Sequence, residues 1–390
     1  MVWSQSLKVL STIRPMSEPR KIVLILGNGF DLDLGLKTSY KDFWESEFCP
    51  KDYPAPLIHH LNERWPDSLE KVKWYDLENE LLNYYKRTQD PNTPNDFITN
   101  EELEFLTEFE PYRIAYGYYQ DKLNLVESLY DKGVIRDSKN FLCPYDVPFK
   151  EDILKTPVWR DRKAFKMIKE GLCKYLKSIS GQPFVSNSVA LNVLLAANTA
   201  REGGDFLSIY SFNYTPLLVD YGKGFQNTVH YVHGDCAKGR IIIGTGDSGD
   251  YDKNYDFLQK SFDPSFNPPP LVADLLEADD VIVFGHSIGV NDRQYFKAFF
   301  KRQSDYSQTR RKEITIFTLD EESEVEIKRS LQRMTDNNLS SLFGLNHVEI
   351  IKTSRIKEDP SQLRAFLSRY ISEEVHVRLI INQLSSSESN

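Results

Sequence analysis

Apolar residues in this chain gather into short runs that stop at glycine or at small polar residues. Ile22–Leu26 is continuous between Lys21 and Gly27, and a run of that kind predicts a strand buried on both faces of a parallel sheet. Phe206–Phe212, Thr228–Val232, Arg240–Ile243, Asp280–Phe284, Glu313–Leu319 and His347–Ile351 read as further strands. Helical periodicity fills the intervals between the last three, most clearly at Asn291–Lys301 and Glu321–Met334. Strands alternating with helices predict an α/β fold, a Rossmann-like parallel sheet with helices on both faces.

Between 41 and 200 strand signals are scarce. Helical spacing dominates at Leu69–Tyr85, Glu101–Leu129 and Ala164–Leu176, with a Pro-rich joint at Asp90–Pro94. This predicts a large helical insertion over 41–200. It follows the first strand and its glycine-rich loop, 21–40, and the sheet resumes over 201–384. Residues 1–20 carry Lys8, Arg14 and Arg20 among Ser and Thr and read as an N-terminal extension; 385–390 read as a disordered tail. The acidic run Glu101, Glu102, Glu104, Glu108 and Glu110 reads as a solvated helix face.

Composition narrows the function classes. Of 390 residues, 40% are apolar and 13% aromatic, enough to build a core. The net charge of -9 argues against nucleic acid as a partner. Cys49, Cys143, Cys173 and Cys236 form no C-x-x-C pair, so neither a disulfide framework nor a zinc site is expected, and no metal is predicted. The apolar stretch nearest to a membrane span, Val189–Ala200, is interrupted by Asn192 and Asn198. The expectation is a cytoplasmic protein that binds a small-molecule nucleotide and has no membrane partner; a homo-oligomer is allowed.

Open parallel sheets bind ligands at the carboxyl ends of their strands. Small, polar and titratable residues recur at those positions here. Gly27, Asn28, Gly29, Asp31 and Gly35 follow the first strand, and Asn213 follows Phe206–Phe212. His233 comes after Thr228–Val232, Gly244 after Arg240–Ile243, and Gly285, His286 and Ser287 after Asp280–Phe284. A tight glycine turn entering a helix offers backbone N–H groups to phosphate, although the spacing is G-x-G-x-x-x-x-x-G rather than the dinucleotide fingerprint. Asp31 suits either a ligand hydroxyl or a helix cap. His233, an imidazole titrating near neutrality, suits general-base work.

Two other readings compete. Gly285-His286-Ser287-Ile288-Gly289 spells the nucleophile elbow of serine hydrolases, and Asp320 and His347 follow in triad order. A nucleotide-binding sensor without catalysis would also use the strand ends. Trp74 reads as core; Asp76 and Glu78 either approach the site or line a helix.

GNGFDLDLGLKTSYKDF over 27–43, Trp74-Tyr75-Asp76-Leu77-Glu78, Ser211–Thr215, Tyr231–Gly234 and FGHSIGVND over 284–292 together resemble the AbiH family of bacterial phage-abortive-infection proteins. The resemblance runs from Lys21 to about Tyr295 and implies a role in antiphage defence. A second resemblance is to sirtuins. Gly27-Asn28-Gly29 followed by Gly35-Leu36 has the spacing of their G-A-G to G-I-P motif. Ser211-Phe212-Asn213 is similar to the strand ending in their catalytic Asn, His233-Gly234 to the catalytic His-Gly, and Gly285-His286-Ser287 to the Gly-Thr-Ser segment. This implies a sirtuin-like sheet, NAD as substrate, and Asn213 and His233 as catalytic residues. Tyr40 stands where sirtuins have Arg, Asp31 where they have Ser, and their zinc cysteines are missing. Those departures imply hydrolysis of NAD to nicotinamide and ADP-ribose rather than deacylation.

Overall fold

A computed structural model describes residues 18–53, 55–65, 76–89, 156–182, 185, 188–217, 229–247, 253–308 and 310–371. They divide between two compact units: those within 1–39, 176–242 and 264–390 form the first, and those within 40–175 and 243–263 the second.

The first unit holds a six-stranded, all-parallel sheet. Its strands are β1 (Lys21–Leu26), β2 (Phe206–Ser211), β3 (Val229–Tyr231), β6 (Asp280–Phe284), β7 (Glu313–Thr318) and β8 (His347–Lys352), in the spatial order β3-β2-β1-β6-β7-β8. Counting only the strands of this sheet, the order is 3-2-1-4-5-6, that of dinucleotide-binding Rossmann sheets. The direction of winding reverses between β1 and β6, and the carboxyl ends of those two strands are where such sheets open to a ligand.

The uninterrupted apolar sequence of β1 has a plain cause: both faces of the sheet are covered. Ile22, Leu24 and Leu26 point to one side. There they meet α6 (Val189–Glu202), rich in alanine at Ala190, Ala196 and Ala197, and α11 (Ser361–Ser368) with Phe366. Val23 and Ile25 point to the other side, with Leu271 and Leu275 of α7 (Leu271–Glu277) and Phe296, Phe299 and Phe300 of α8 (Arg293–Gln303). Ile327 and Leu331 of α9 (Glu321–Met334) and Leu342 of α10 (Leu339–Leu345) complete that layer. At the amino ends Arg20 bridges Asp205 (2.9 Å) and Asp280 (3.0 Å), tying the starts of β1, β2 and β6.

Two expectations need correction. The apolar stretch 189–200, placed in the insertion by its sequence position, is α6 and belongs to the sheet unit, where its alanines share a buried core with apolar residues of β1 and β2. Arg240–Ile243 does not join the parallel sheet. Only Arg240–Ile241 (β5) is extended, and it pairs antiparallel with Gly234–Asp235 (β4) in a separate hairpin.

The second unit contains α2 (Tyr40–Trp44), α3 (Pro56–Arg64), α4 (Leu77–Thr88) and α5 (Thr156–Ile179) as far as Tyr175. Its buried acids organise helices. Asp161 accepts from the Leu57 N–H in the first turn of α3 (2.9 Å) and from the Tyr84 hydroxyl. Asp76 caps α4 by accepting from the Asn79 N–H (3.0 Å), and Glu78 pairs with the buried Lys260 (2.9 Å). Both acids are thereby accounted for within this unit. Trp74, the expected helix at 101–129 and the two chain ends, 1–17 and 372–390, lie outside the described residues.

Candidate functional site

The glycine loop is built by backbone packing. A Cβ on Gly27 would stand 2.5 Å from the His286 Cα, and one on Gly29 would stand 2.6 Å from the Gly285 Cα. The loops after β1 and β6 therefore touch main chain to main chain. The Gly27 N–H donates to the Phe284 carbonyl and the Gly29 N–H to the Gly285 carbonyl, each at 2.9 Å. These are two of the amides that the sequence pattern assigns to phosphate, and both are already satisfied. The Asn28 side chain accepts from the Thr38 hydroxyl (2.7 Å). Gly35, also expected at the ligand, ends the short helix α1 (Asn28–Asp33) with φ +84°. Its N–H donates to the Leu32 carbonyl and the Leu36 N–H to the Asp31 carbonyl, the paired bonds of a Schellman cap. Gly244 falls in the second unit, where a Cβ would lie 2.5 Å from the Leu258 carbonyl oxygen.

Two hydrogen-bonded groups do form at the carboxyl edge of the sheet. In the first, Asp31 accepts from the Thr215 hydroxyl and from the Asn213 side chain. Asn213 is held by its own N–H on the Ser211 hydroxyl (3.2 Å). Burial pushes the Asp31 carboxyl up to about 7, and the bonds from Thr215 and Asn213 oppose that rise. Asp31 caps no helix; the N-cap of α1 is Gly27. A recess of about 10 Å³ adjoins the group, lined by Asp31, Ser211, Asn213 and Thr215 with Phe30 and Leu217 among its apolar walls.

In the second group one carboxylate serves two imidazoles. Asp292, in the 3₁₀ turn Val290–Asp292, lies 2.8 Å from His233 Nε2 through Oδ1 and 3.3 Å from His286 Nε2 through Oδ2. His286 Nδ1 accepts from the Ile288 N–H (2.9 Å), so its proton sits on Nε2, toward Asp292. The Phe212 ring stands between the elements that carry them, 4.3 Å from His286 and 5.3 Å from His233, and both imidazoles are buried. The two residues expected to act together are thus divided: Asn213 belongs to the Asp31 group and His233 to the Asp292 group.

A family model described as bacteriophage abortive infection AbiH matches residues 23–312. The chain belongs to this family. Its role is accordingly in abortive infection, the defence of bacteria against phage. The AbiH match contains every residue of both hydrogen-bonded groups, from Asp31 to Asp292. No curated protein and no solved structure matches the chain.

Thr215 follows the same strand as Asn213, and Asp292 stands inside the AbiH-like motif over 284–292; nothing in the sequence pairs Thr215 with Asp31 or Asp292 with His233. The serine-hydrolase arrangement fails on geometry. His347 opens β8 at the amino edge of the sheet, where it contacts Glu313 at 2.5 Å, whereas Ser287 follows β6 at the carboxyl edge. One strand length, about 16 Å, separates those edges. Asp320 is engaged in capping α9 through the Ser323 N–H (3.0 Å). The positive φ angles around the elbow fall on Gly285 and Ile288, not on Ser287.

Asp31 yields a stability prediction. An unfolded aspartate releases its proton near pH 3.9, but the native carboxyl holds it to about 7. Between those values the folded state binds more protons, so stability falls as pH rises through the window. Asp31→Asn keeps an acceptor for Thr215 and removes the penalty. Thermal melts should place the variant above wild type at pH 8, by on the order of 2–4 kcal/mol, with the gap closing toward pH 4. Asp161, also pushed up to about 7 by burial, acts in the same direction in both proteins and cancels in the comparison. A variant less stable than wild type at pH 8 would refute this assignment.

Proposed function

We propose that the chain acts in abortive infection by hydrolysing a nucleotide, with NAD as the substrate, at the carboxyl edge of its sheet. The observation that supports this most is an imidazole held by a carboxylate, His233 on Asp292 at 2.8 Å, on a sheet with the strand order of dinucleotide-binding folds. With Asp292 accepting from Nε2–H, the lone pair of His233 lies on Nδ1, the arrangement of an oriented general base. Cleavage of the ribose–nicotinamide bond releases a neutral base. The protein then has to orient the ribose and take one proton from the attacking water. His233 takes that proton, and Asn213 and Asp31 face the sugar.

Purified protein incubated with NAD should release free nicotinamide. His233→Ala should reduce the rate at least about 100-fold, while Ser287→Ala should leave it unchanged. Full activity in His233→Ala would sink the mechanism. The second reading, a sensor that binds its nucleotide and leaves it intact, is favoured by the burial of both imidazoles; it predicts binding without nicotinamide in wild type.

A further inference from the structure

The recess beside Asp31 has a size and chemistry of its own. At about 10 Å³ it is at the lower limit for one water molecule, which is also the size of one hydroxyl group. Its polar wall comes from two adjacent strand ends: Asp31 after β1, and Ser211, Asn213 and Thr215 at the end of β2. The rest is apolar, including Phe30, Leu34 and Leu217. An ionised carboxylate has roughly four acceptor positions; Thr215 and Asn213 occupy two. Two acceptor positions remain on a side chain that lines the recess. Thr215 and Asn213 also fix the carboxyl's orientation, so little side-chain entropy is left to lose when a donor arrives.

We propose that Asp31, held by Thr215 and Asn213, is the seat of a ribose hydroxyl, and that it makes this site selective for ribonucleotides over their deoxy counterparts. The inference rests on the nucleotide reading above and deepens it. A hydroxyl entering the recess donates to the carboxylate, replaces one water, and gains a charge-assisted hydrogen bond in a poorly solvated place. A ligand lacking that hydroxyl leaves the buried carboxylate short of a donor, and sites of that kind reject the deleted analogue strongly. Maintaining a carboxyl where burial raises it to about 7 is costly for the fold, and such costs concentrate at binding sites.

The test uses ADP-ribose, which has no nicotinamide to lose, and its forms lacking the 2′- or the 3′-hydroxyl of the terminal ribose, titrated calorimetrically at pH 8. Wild type should bind ADP-ribose at least about tenfold more tightly than one of the two deoxy forms. Asp31→Asn should lose about tenfold in affinity for ADP-ribose and discriminate less between the three ligands, and Thr215→Val should move the same way. Equal affinity of wild type for all three would overturn the hydroxyl seat while leaving the nucleotide reading intact. Failure of wild type to bind any of them would overturn both.

Discussion

Gly285→Ala should lower stability by about 3–5 kcal/mol and the melting temperature by roughly 10 °C. The new Cβ would stand 2.5 Å from both the Cα and the carbonyl carbon of Gly29, and 2.6 Å from the Phe30 nitrogen. All three are main-chain atoms, so no rotamer change relieves the clash. Gly285 also has φ +62°, which a side chain adopts at a cost of about 1 kcal/mol. Relief requires the loops after β1 and β6 to part. That breaks the bonds from Gly27 to Phe284 and from Gly29 to Gly285, each 2.9 Å. Ser287→Ala, two residues away and exposed, is the control and should stay within about 0.5 kcal/mol of wild type. A Gly285→Ala protein melting within about 2 °C of wild type would show that the loops are not locked in this way.

The largest effect on turnover is expected from Asp292→Asn. The substitution keeps the shape of the side chain and changes what it asks of His233. A carboxylate accepts from Nε2–H and leaves Nδ1 basic; an amide can instead present N–H to Nε2 and draw the imidazole proton to Nδ1, where it blocks base catalysis. The same change offers His286 Nε2–H a poorer acceptor. Nicotinamide release should fall by about 10²–10⁴-fold with the melting temperature little altered. Preserved turnover in Asp292→Asn would assign the His233–Asp292 contact to holding two loops together.

The sheet was legible because it is buried on both faces. Ile22–Leu26 has no polar position to spare, and it lies between β2 and β6 as a run of that kind should. The edge of the insertion was harder to read, since an apolar helix that covers a sheet and one that packs in a bundle share a period. α6 shows this at Val189–Ala200. The glycines are ambiguous for a related reason. Close approach by a phosphate and close approach by another loop both exclude a Cβ, and only the fold reveals that Gly27 and Gly29 face Gly285 and His286. Partners distant in sequence were hidden in a different way. Asp31 meets Thr215 across 184 positions and His233 meets Asp292 across 59. His286 and Asp292 stand in one motif, and their joint relation to His233 appears only once β3 and β6 are set in the same sheet.

The proposed defence by nucleotide cleavage through His233 and Asp292 has its decisive readout inside the infected cell. Its most direct test is the NAD content of bacteria expressing wild type or Asp292→Asn, measured through the course of a phage infection that wild type aborts. The expected result is a collapse of NAD with a matching rise in ADP-ribose in wild type, and neither change nor protection in the variant. Wild-type cells that abort the infection with their NAD intact would contradict it.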